Sequence, residues 1–245
     1  MRVASESWEG HFDGHPERGG VPTTPAVFLA RHASHLAEPF MARDAEGAAQ
    51  RLAFLFMGAP GSGKSKLPDF CTDERGAADC VLIDPDVYKA ALPEYAGGAG
   101  AAVVHEESSW IARQVRNSCI GRRCSLMNDA VGASPGKYAD VVRRLKANNF
   151  RVELLCVHSL EVDALLDRVA RRAAKNGRVV PESVLRHAHA QVPETFRILS
   201  GGVDAAFLFD AASGELAWEQ ISGRVQVHLA DFVREFSGAS GWHTF

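Results

Sequence analysis

The chain has 245 residues, of which 46% are hydrophobic and 23% are charged, a composition typical of a globular protein with a buried core. Its formal net charge of -3 argues against a general polyanion binder, so we expect no nucleic-acid partner. No apolar stretch reaches the roughly 20 residues that a membrane-spanning helix needs, and residues 1–20 lack the apolar core of a Sec signal peptide. We therefore expect no membrane partner.

The five cysteines, Cys71, Cys80, Cys119, Cys124 and Cys156, are odd in number and form no C-x-x-C pair. This pattern favours free thiols in a reducing compartment over a disulfide framework. The simplest expectation is a cytoplasmic protein, although secretion without a cleaved signal stays open.

In chain order, residues 1–25 predict a loose N-terminal arm, and apolar residues at three- and four-residue spacing predict a helix over about 26–50. Short continuous apolar runs predict buried strands at 51–57, 80–84, 124–129 and 150–157. Amphipathic spacing predicts helices between them, at about 64–74, 105–121, 134–149 and 160–177. A hairpin around Ser213 and Gly214 is expected over 204–220, followed by a last helix over about 221–236.

Strands that alternate with helices predict an α/β fold with a mainly parallel, doubly wound sheet flanked by helices. In such folds ligands bind beyond the carboxyl ends of the strands. The polar motifs of this chain fall directly after predicted strands.

The first of these motifs follows the run Leu52–Met57 and fits the phosphate-binding pattern G-x-x-x-x-G-K-[ST]. Its glycines allow successive backbone N–H groups to surround an anion, and the next helix adds its positive end. The motif predicts a site for a nucleoside triphosphate such as ATP, with Lys64 on the terminal phosphates and the Ser65 hydroxyl on Mg²⁺. The residues of this loop are Gly58, Ala59, Pro60, Gly61, Ser62, Gly63, Lys64 and Ser65.

Two aspartates, Asp84 and Asp86, follow the second predicted strand and would face this loop. One carboxylate could hold Mg²⁺ through water, and the other could take the proton of an acceptor hydroxyl. The alternative is that one of them only caps the helix that begins near Val87.

A basic helix carries Arg168, Arg171 and Arg172, and Arg178 follows it after Gly177. A planar guanidinium can stabilise a phosphoryl group in transfer by holding two of its oxygens. The alternative is a solvated helix face paired with acidic residues of the same helix, which we favour for Arg168 but not for Arg178.

Together, the segments "GAPGSGKS", "IDPDVYKAALPEY", "HEESSWIA", "RVARRAAKNGRVVP" and "VPETF" resemble the zeta-toxin family of small-molecule kinases over about residues 52–220. The resemblance implies a single P-loop kinase-like domain over 26–245. It implies transfer of the ATP γ-phosphate to a hydroxyl of UDP-N-acetylglucosamine or another nucleotide-like acceptor. It also implies an antitoxin protein as a possible partner, which would have to cover the ATP site with a helix.

The resemblance also assigns roles to individual residues. It makes Asp86 the catalytic base and Asp84 a partner that holds Mg²⁺ or the loop, and it places Arg178 on the phosphates. The second phosphate-binding arginine falls on Arg172 or Arg171. The acidic residue that contacts the acceptor falls on Glu107, with Glu106 as the alternative.

One departure from the family pattern concerns the acceptor. The family usually follows its third strand with an acidic residue, glycine and threonine, whereas this chain has Asp129 followed by Ala130 and Val131. A side chain without a hydroxyl cannot make the hydrogen bond of that threonine, and such losses discriminate strongly between substrates. We expect the acceptor pocket to differ from that of enzymes acting on UDP-N-acetylglucosamine.

The sequence therefore predicts an ATP- and Mg²⁺-dependent kinase of a sugar nucleotide or related small metabolite. Two alternatives remain: a P-loop ATPase or nucleotide-gated interaction module without a small-molecule acceptor, and a kinase of nucleic-acid 5′ ends. The negative net charge and the lack of interleaved basic and aromatic residues weigh against the last.

Overall fold

The computed structural model describes residues 42–43, 49–75, 77–98 and 100–238, with side chains from residue 51 onward. The expected arm over 1–25 and most of the helix expected over 26–50 lie outside these residues. The described positions of that expected helix, 42–43 and 49–50, belong instead to strands.

The described residues form eight strands. In chain order they are β1 (Ala42–Arg43), β2 (Ala49–Met57), β3 (Val81–Ile83), β4 (Leu126–Asp129), β5 (Phe150–His158), β6 (Ala205–Asp210), β7 (Leu216–Ile221) and β8 (Arg224–Val227).

The strands make one sheet in the order β3-β4-β2-β5-β6-β7-β8, and β1 pairs with β2. Five neighbouring strands, in the sheet order β3, β4, β2, β5 and β6, run parallel to one another. Strands β7 and β8 extend the sheet beyond β6 by antiparallel pairing. After β2 the chain passes to β3 and β4 on one side, and then to β5 on the other side. The carboxyl end of β2 is therefore the point of reversal at which doubly wound folds bind ligands.

Within the described ranges, seven α-helices connect or flank these strands. They are α1 (Leu67–Arg75), α2 (Pro85–Ala90), α3 (His105–Arg122), α4 (Pro135–Ala147), α5 (Val162–Asn176), α6 (Glu182–Ser200) and α7 (Ala230–Ser237). The described residues also form two 3₁₀ segments, at Lys64–Lys66 and Pro93–Gly98.

The central strand β2 shows how the layers are held together. Alternate side chains along it enter two different hydrophobic clusters, as expected for a strand covered on both faces. Leu55 packs with α3, α4, α6 and α7, whereas Phe54 packs with α1 on the other face. The expected α/β fold with helices on both faces of a mainly parallel sheet is confirmed.

Two elements near the carboxyl end differ from expectation. Helix α6 was not expected, although Leu185, Ala188 and Val192 have helical spacing and are buried. The last helix was expected to begin near residue 221, but β8 precedes it. Ser222 and Gly223 both have positive φ, of 51° and 78°, which is the backbone of a tight hairpin turn and not of a helix.

The hairpin expected around Gly214 is present as β6 and β7. The five cysteines are free and buried, as expected. Within the described part of the chain, no helix has the length and apolar content that a transmembrane span requires.

Candidate active site

A cavity of about 650 Å³ lies at the carboxyl ends of the parallel strands. Its walls come from the loop after β2, from α2, from the start of α3, from the segment between β4 and α4, and from α5 with the residues that follow it. Its charged lining is mainly cationic. The six permanent cations are Lys64, Lys89, Lys137, Arg168, Arg172 and Arg178, and the three carboxylates are Asp84, Asp86 and Asp129.

The loop at 58–65 has the backbone that its glycines predict. Gly61 and Gly63 have φ of 83° and 98°, which side chains disfavour. A Cβ on Gly58 would come within 2.5 Å of the Val157 carbonyl oxygen, so this position also needs a glycine. The Lys64 ammonium donates to the Gly58 carbonyl at 2.7 Å, which closes the loop on itself.

The other loop residues divide into two groups. Pro60, Gly61, Gly63 and Ser65 line the cavity beside Lys64, and Ser65 is exposed there. Ala59 and Ser62 are buried behind them, and Ala59 packs against Leu165 of α5. The Ser65 hydroxyl is therefore placed where a ligand in the cavity can reach it.

Asp84 and Asp86 both line the cavity, at the end of β3 and in the first turn of α2. Asp84 caps α2 by accepting from the Asp86 backbone N–H at 2.8 Å, but it also lines the cavity, so capping is not its only possible role. Burial raises the pKa of Asp84, and the capping hydrogen bond offsets part of this. The Asp86 carboxylate does not cap the helix. It contacts two cationic side chains instead.

Asp86 lies between two cations. Arg178 donates to one carboxylate oxygen, and the Lys89 ammonium lies 3.4 Å from the other. Burial alone would raise the pKa of Asp86, but the hydrogen bond and charge of Arg178, with the charge of Lys89, hold it below its usual value. The carboxylate is therefore ionised at neutral pH.

Asp129, at the end of β4, is electrostatically linked to Lys64. Burial raises the pKa of Asp129 to about 6, although the Lys64 ammonium opposes the shift. Burial likewise lowers the pKa of Lys64, and the charges of Asp129 and then Asp86 act against this. Lys64, Asp86 and Asp129 thus act on one another across the same cavity.

Lys89 is a further cation of the site that was not predicted from the sequence. Its side chain is only 7% exposed, lies one turn after Asp86 on α2, and lines the cavity. The signal that could have identified it is the i, i+3 spacing to Asp86 on a short helix that follows a strand.

The arginines of α5 do not share one environment. Arg172 lines the cavity, whereas Arg171 is exposed, so the structure favours Arg172 of the two candidates. Arg172 Nε is buried without a hydrogen-bond partner among the described residues. Burial lowers the pKa of Arg172, and the charge of Arg178 lowers it further.

The expectation of a solvated position for Arg168 is wrong. Its guanidinium donates to the carbonyl of Gly61 at 3.4 Å and to that of Ala211 at 3.1 Å. Arg168 therefore joins the tip of the phosphate-binding loop to the turn between β6 and β7.

Glu107 is half-buried on α3, but the residues of this helix that line the cavity are His105 and Ser109. Because an α-helix turns by about 100° per residue, Glu107 lies on the far side of α3 from both. Glu106 is exposed and is not part of the lining either. This structure therefore does not bring either glutamate into the cavity.

Ala130 and Val131 form the wall next to Asp129, and Val131 is 37% exposed. The Val131 carbonyl accepts from the Gly58 N–H at 3.0 Å, so this wall and the phosphate-binding loop share a main-chain hydrogen bond. Tyr88 of α2 is only 1% exposed and belongs to the hydrophobic core, so its ring is not available for stacking on a ligand.

The profile of the zeta toxin family matches residues 41–213 of the chain. A search of curated proteins found no match. Solved structures at low sequence identity share the fold. A chain of the complex AvrRxo1-ORF1:AvrRxo1-ORF2 with sulfate ions has a TM-score of 0.71 at 20% identity, and the match covers 97% of this chain and 78% of that chain.

Two further solved structures agree. A chain of AvrRxo1-ORF1:-ORF2 with ATP has a TM-score of 0.70 at 21% identity, covering 94% of this chain and 76% of that chain. A structure of the PezAT chromosomal toxin-antitoxin system of Streptococcus pneumoniae has a TM-score of 0.62 at 13% identity, with 82% of each chain covered. The family profile covers well over half of the 245 residues, and the matched region contains the phosphate-binding loop. This chain belongs to the zeta toxin family and has its P-loop kinase fold.

Proposed function

We propose that the protein is an ATP- and Mg²⁺-dependent kinase that phosphorylates a hydroxyl group of a sugar nucleotide or a related small metabolite. The observation that carries this proposal is the position of Asp86. It lies in the same cavity as Lys64, and the charges of the two groups act on each other. A phosphate-binding loop that faces an ionised carboxylate has the two parts that phosphoryl transfer to an alcohol requires.

The donor side of the cavity suits the triphosphate of ATP. The N–H groups of the loop at 58–65 would surround the phosphates, and Lys64 would leave its internal bond to Gly58 to contact the terminal ones. The existence of a structural neighbour solved with ATP supports this choice of donor.

The polar groups around Lys64 fit a magnesium ion of the kind that accompanies ATP. Within the described residues no group of three or more His, Cys, Asp or Glu side chains could hold a metal ion by itself. Mg²⁺ usually keeps several waters and binds one or two protein oxygens together with phosphates. The Ser65 hydroxyl would hold it directly, with Asp129 or Asp84 acting through water, and the ion would neutralise charge on the phosphate oxygens.

Asp86 would act as the base. In the reaction the acceptor O–H bond breaks, its proton moves to the Asp86 carboxylate, and the oxygen forms a bond to the γ-phosphorus while the bond to the leaving ADP breaks. Arg178 and Arg172 would stabilise the charge on the moving phosphoryl group. Because Arg178 pairs with Asp86 in this structure, the phosphates would compete with the carboxylate for it.

The acceptor would lie against Asp84, Asp129 and Val131, beside the phosphate-binding loop. The cationic lining favours an acceptor that is itself anionic, as a sugar nucleotide is. Glu107 keeps its proposed acceptor contact only if α3 rotates or shifts when the acceptor binds. The aliphatic Val131 offers no hydroxyl for a hydrogen bond at that point, which argues for an acceptor other than UDP-N-acetylglucosamine, so that compound is tested as one member of a wider panel.

The test is mass spectrometry of single metabolites incubated with the protein, ATP and Mg²⁺. A panel of sugar nucleotides and dinucleotides is compared with ATP alone, and Asp86→Asn serves as the inactive control. The proposal expects one phosphoryl group to be gained by a subset of acceptors. ATP hydrolysis that proceeds steadily and is indifferent to every acceptor would instead establish the ATPase or nucleotide-gated module.

We also propose a neutralising protein partner that covers the ATP site with a helix. The support is family membership and the toxin-antitoxin system named for one structural neighbour. Such a partner would lower ATP affinity in proportion to its occupancy of the cavity, which a nucleotide-binding assay measures directly.

We place the reaction in the cytoplasm and assign residues 26–245 to one domain. The five free thiols support the compartment, because they match a reducing environment. The family match over residues 41–213 supports an undivided kinase domain.

A further inference from the structure

The Asp86 carboxylate is held by two cations, one on each of its oxygens. The Lys89 ammonium lies 3.4 Å from Oδ1, and Arg178 Nη1 donates to Oδ2. All three side chains line the cavity. A ligand that draws one cation away would therefore free one oxygen of Asp86 and leave the other oxygen paired.

Lys89 is fixed by the packing of its helix. It lies on α2, which packs along α3, and the preceding residue, Tyr88, is buried in the same hydrophobic cluster as Ile111 of α3. The Lys89 side chain is 7% exposed, and among the described residues it forms an ion pair with Asp86 alone. Because a buried ammonium without a counter-charge costs free energy, this pair is unfavourable to break.

Arg178 is held less firmly than Lys89. It lies beyond the end of α5, in a segment that is neither helix nor strand, and its side chain is 20% exposed. It shares the cavity with Lys64 of the phosphate-binding loop. Since a planar guanidinium can bind two oxygens of a phosphoryl group at once, the terminal phosphate of ATP would attract Arg178 away from Asp86.

The other titratable groups around Asp86 replace neither cation, since no third cation among the described residues forms an ion pair with it. Burial and then the charge of Lys89 lower the pKa of His105, which is therefore neutral at neutral pH. Lys64 donates to the Gly58 carbonyl and would turn to the phosphates when ATP binds. The groups whose charges act on Asp86 or respond to it, besides Lys89 and Arg178, are Asp84 before α2, His105 of α3, Lys64 of the loop, Asp129 of β4 and Arg172 of α5.

We infer that Lys89 is the positioning residue of the base, which anchors Asp86 by Oδ1 so that Oδ2, once Arg178 has left it, receives the proton of the acceptor hydroxyl. The inference rests on the proposed kinase function. Arg178 blocks Oδ2 until the phosphates of ATP withdraw it. The Lys89 ammonium then keeps the freed carboxylate from turning away from the acceptor. The base is thus exposed only after the donor is bound.

The first experiment compares the kinetics of Lys89→Met and wild type on an acceptor found in the mass-spectrometric panel. We expect kcat to fall by about 10- to 100-fold, because a misplaced reacting group costs about this much, with the Kd for ATP within about twofold. Loss of the ammonium removes one of the charges that lower the pKa of Asp86, so the acidic limb of the pH–rate profile should move to higher pH. A purely structural loss would lower the rate equally at every pH.

Lys89→Arg keeps the positive charge and should return the acidic limb to its wild-type position. The control is Lys146→Met, because Lys146 pairs with Asp204 at 2.7 Å and does not line the cavity. This control should leave both kcat and the pH–rate profile unchanged. Lys89→Gln is a second neutral variant in case Lys89→Met does not fold. The inference is overturned if a folded neutral variant keeps the wild-type acidic limb.

A second experiment does not depend on turnover. Carbon NMR follows the titration of the Asp86 carboxyl group, identified by its loss in Asp86→Asn, in the full chain with Mg²⁺ and a non-hydrolysable methylene analogue of ATP. We expect a higher pKa for this carboxyl in Lys89→Met than in wild type or Lys146→Met. That result without any phosphorylated acceptor would refute the kinase and leave the anchored carboxylate. Equal pKa values in a protein that does phosphorylate an acceptor would refute the role of Lys89 alone.

Discussion

The phosphate-binding wall of the cavity comes from one continuous loop, 58–65, of which five residues line the cavity, whereas the remaining wall is assembled from distant segments. We call the latter the acceptor wall and define it by Asp86, Lys89, His105, Ser109 and Val131. The first wall works mainly through its backbone, which glycines and one lysine dictate. The second works through side chains whose contacts depend on how α2, α3 and β4 pack.

Because of this difference, substitutions in the two walls should have different effects. A residue altered in the phosphate-binding wall disturbs a self-contained loop, and with it the binding of any triphosphate. A residue altered in the acceptor wall changes one contact and leaves the loop intact. Donor binding and acceptor chemistry should therefore respond separately to substitution, which four experiments can test.

The largest expected effect comes from Asp86→Asn. An amide cannot take the proton of the acceptor hydroxyl, so kcat should fall by about 10²- to 10⁴-fold. The Kd for ATP should change by less than about threefold, because the loop at 58–65 is untouched. Steady-state kinetics and calorimetry measure the two quantities. Asp140→Asn, an exposed aspartate on α4, is the control, and full activity in Asp86→Asn would falsify the assignment of the base.

Arg178→Met should affect donor binding and acceptor chemistry together. The reason is that Arg178 pairs with the base and is also proposed to hold the phosphates. We expect the rate to fall by about 10²-fold. Arg178 keeps the pKa of Asp86 low, so its removal should raise that pKa and move the acidic limb of the pH–rate profile to higher pH. The exposed Arg171→Met is the control. A slower enzyme with an unshifted profile would show that the ion pair does not tune the base.

Asp129→Asn should show that the site is built at a cost to stability. The pKa of Asp129 is raised to about 6 in the folded chain, above its ordinary value of 3.8, so its ionised form destabilises the fold. This cost is present above pH 6 and is lost as pH falls from 6 toward 4. We expect the variant to gain about 1–3 kcal/mol of unfolding free energy at pH 8 and little at pH 4.

Urea denaturation at the two pH values measures this effect. Asp140→Asn, which changes an exposed carboxylate, should differ from wild type in unfolding free energy by the same amount at both pH values. A variant that is less stable than wild type at pH 8 would mean that the Lys64–Asp129 attraction exceeds the cost of burying the carboxylate.

The smallest effect is expected from Arg168→Met, which should act on the donor side alone. Loss of its bonds to the carbonyls of Gly61 and Ala211 loosens the tip of the loop. The Kd for ATP should rise by about 3- to 10-fold with kcat nearly unchanged. Lys175→Met, an exposed change on the same helix, is the control. A fall in kcat without a change in Kd would place Arg168 among the groups that serve the transition state.

The phosphate-binding wall was predictable because all its constraints are local. A strand, three glycines, a lysine and a serine in fixed order determine the backbone, and the structure places Lys64 and Ser65 in the cavity as expected. The alternation of strands and helices likewise predicts the parallel sheet, because each element carries its own hydrophobic pattern.

The acceptor wall was only partly predictable because its contacts join residues far apart in the chain. Asp86 could be found from its place after a strand, but its pairing with Arg178 joins residues 92 positions apart. Glu107 was chosen by resemblance, and the rotation of α3 places Ser109 in the lining instead. Arg168 looked solvated because no local signal shows that carbonyls of two other loops lie beside it.

The hydrogen bond from the Gly58 N–H to the Val131 carbonyl has a consequence for how this enzyme scaffold can diversify. It uses only main-chain atoms, so every amino acid at position 131 can supply it. The Val131 side chain lines the cavity and can vary while the start of the nucleotide loop stays anchored. Under the proposed function, single exchanges at this position would change the preferred acceptor without disturbing the loop that binds ATP.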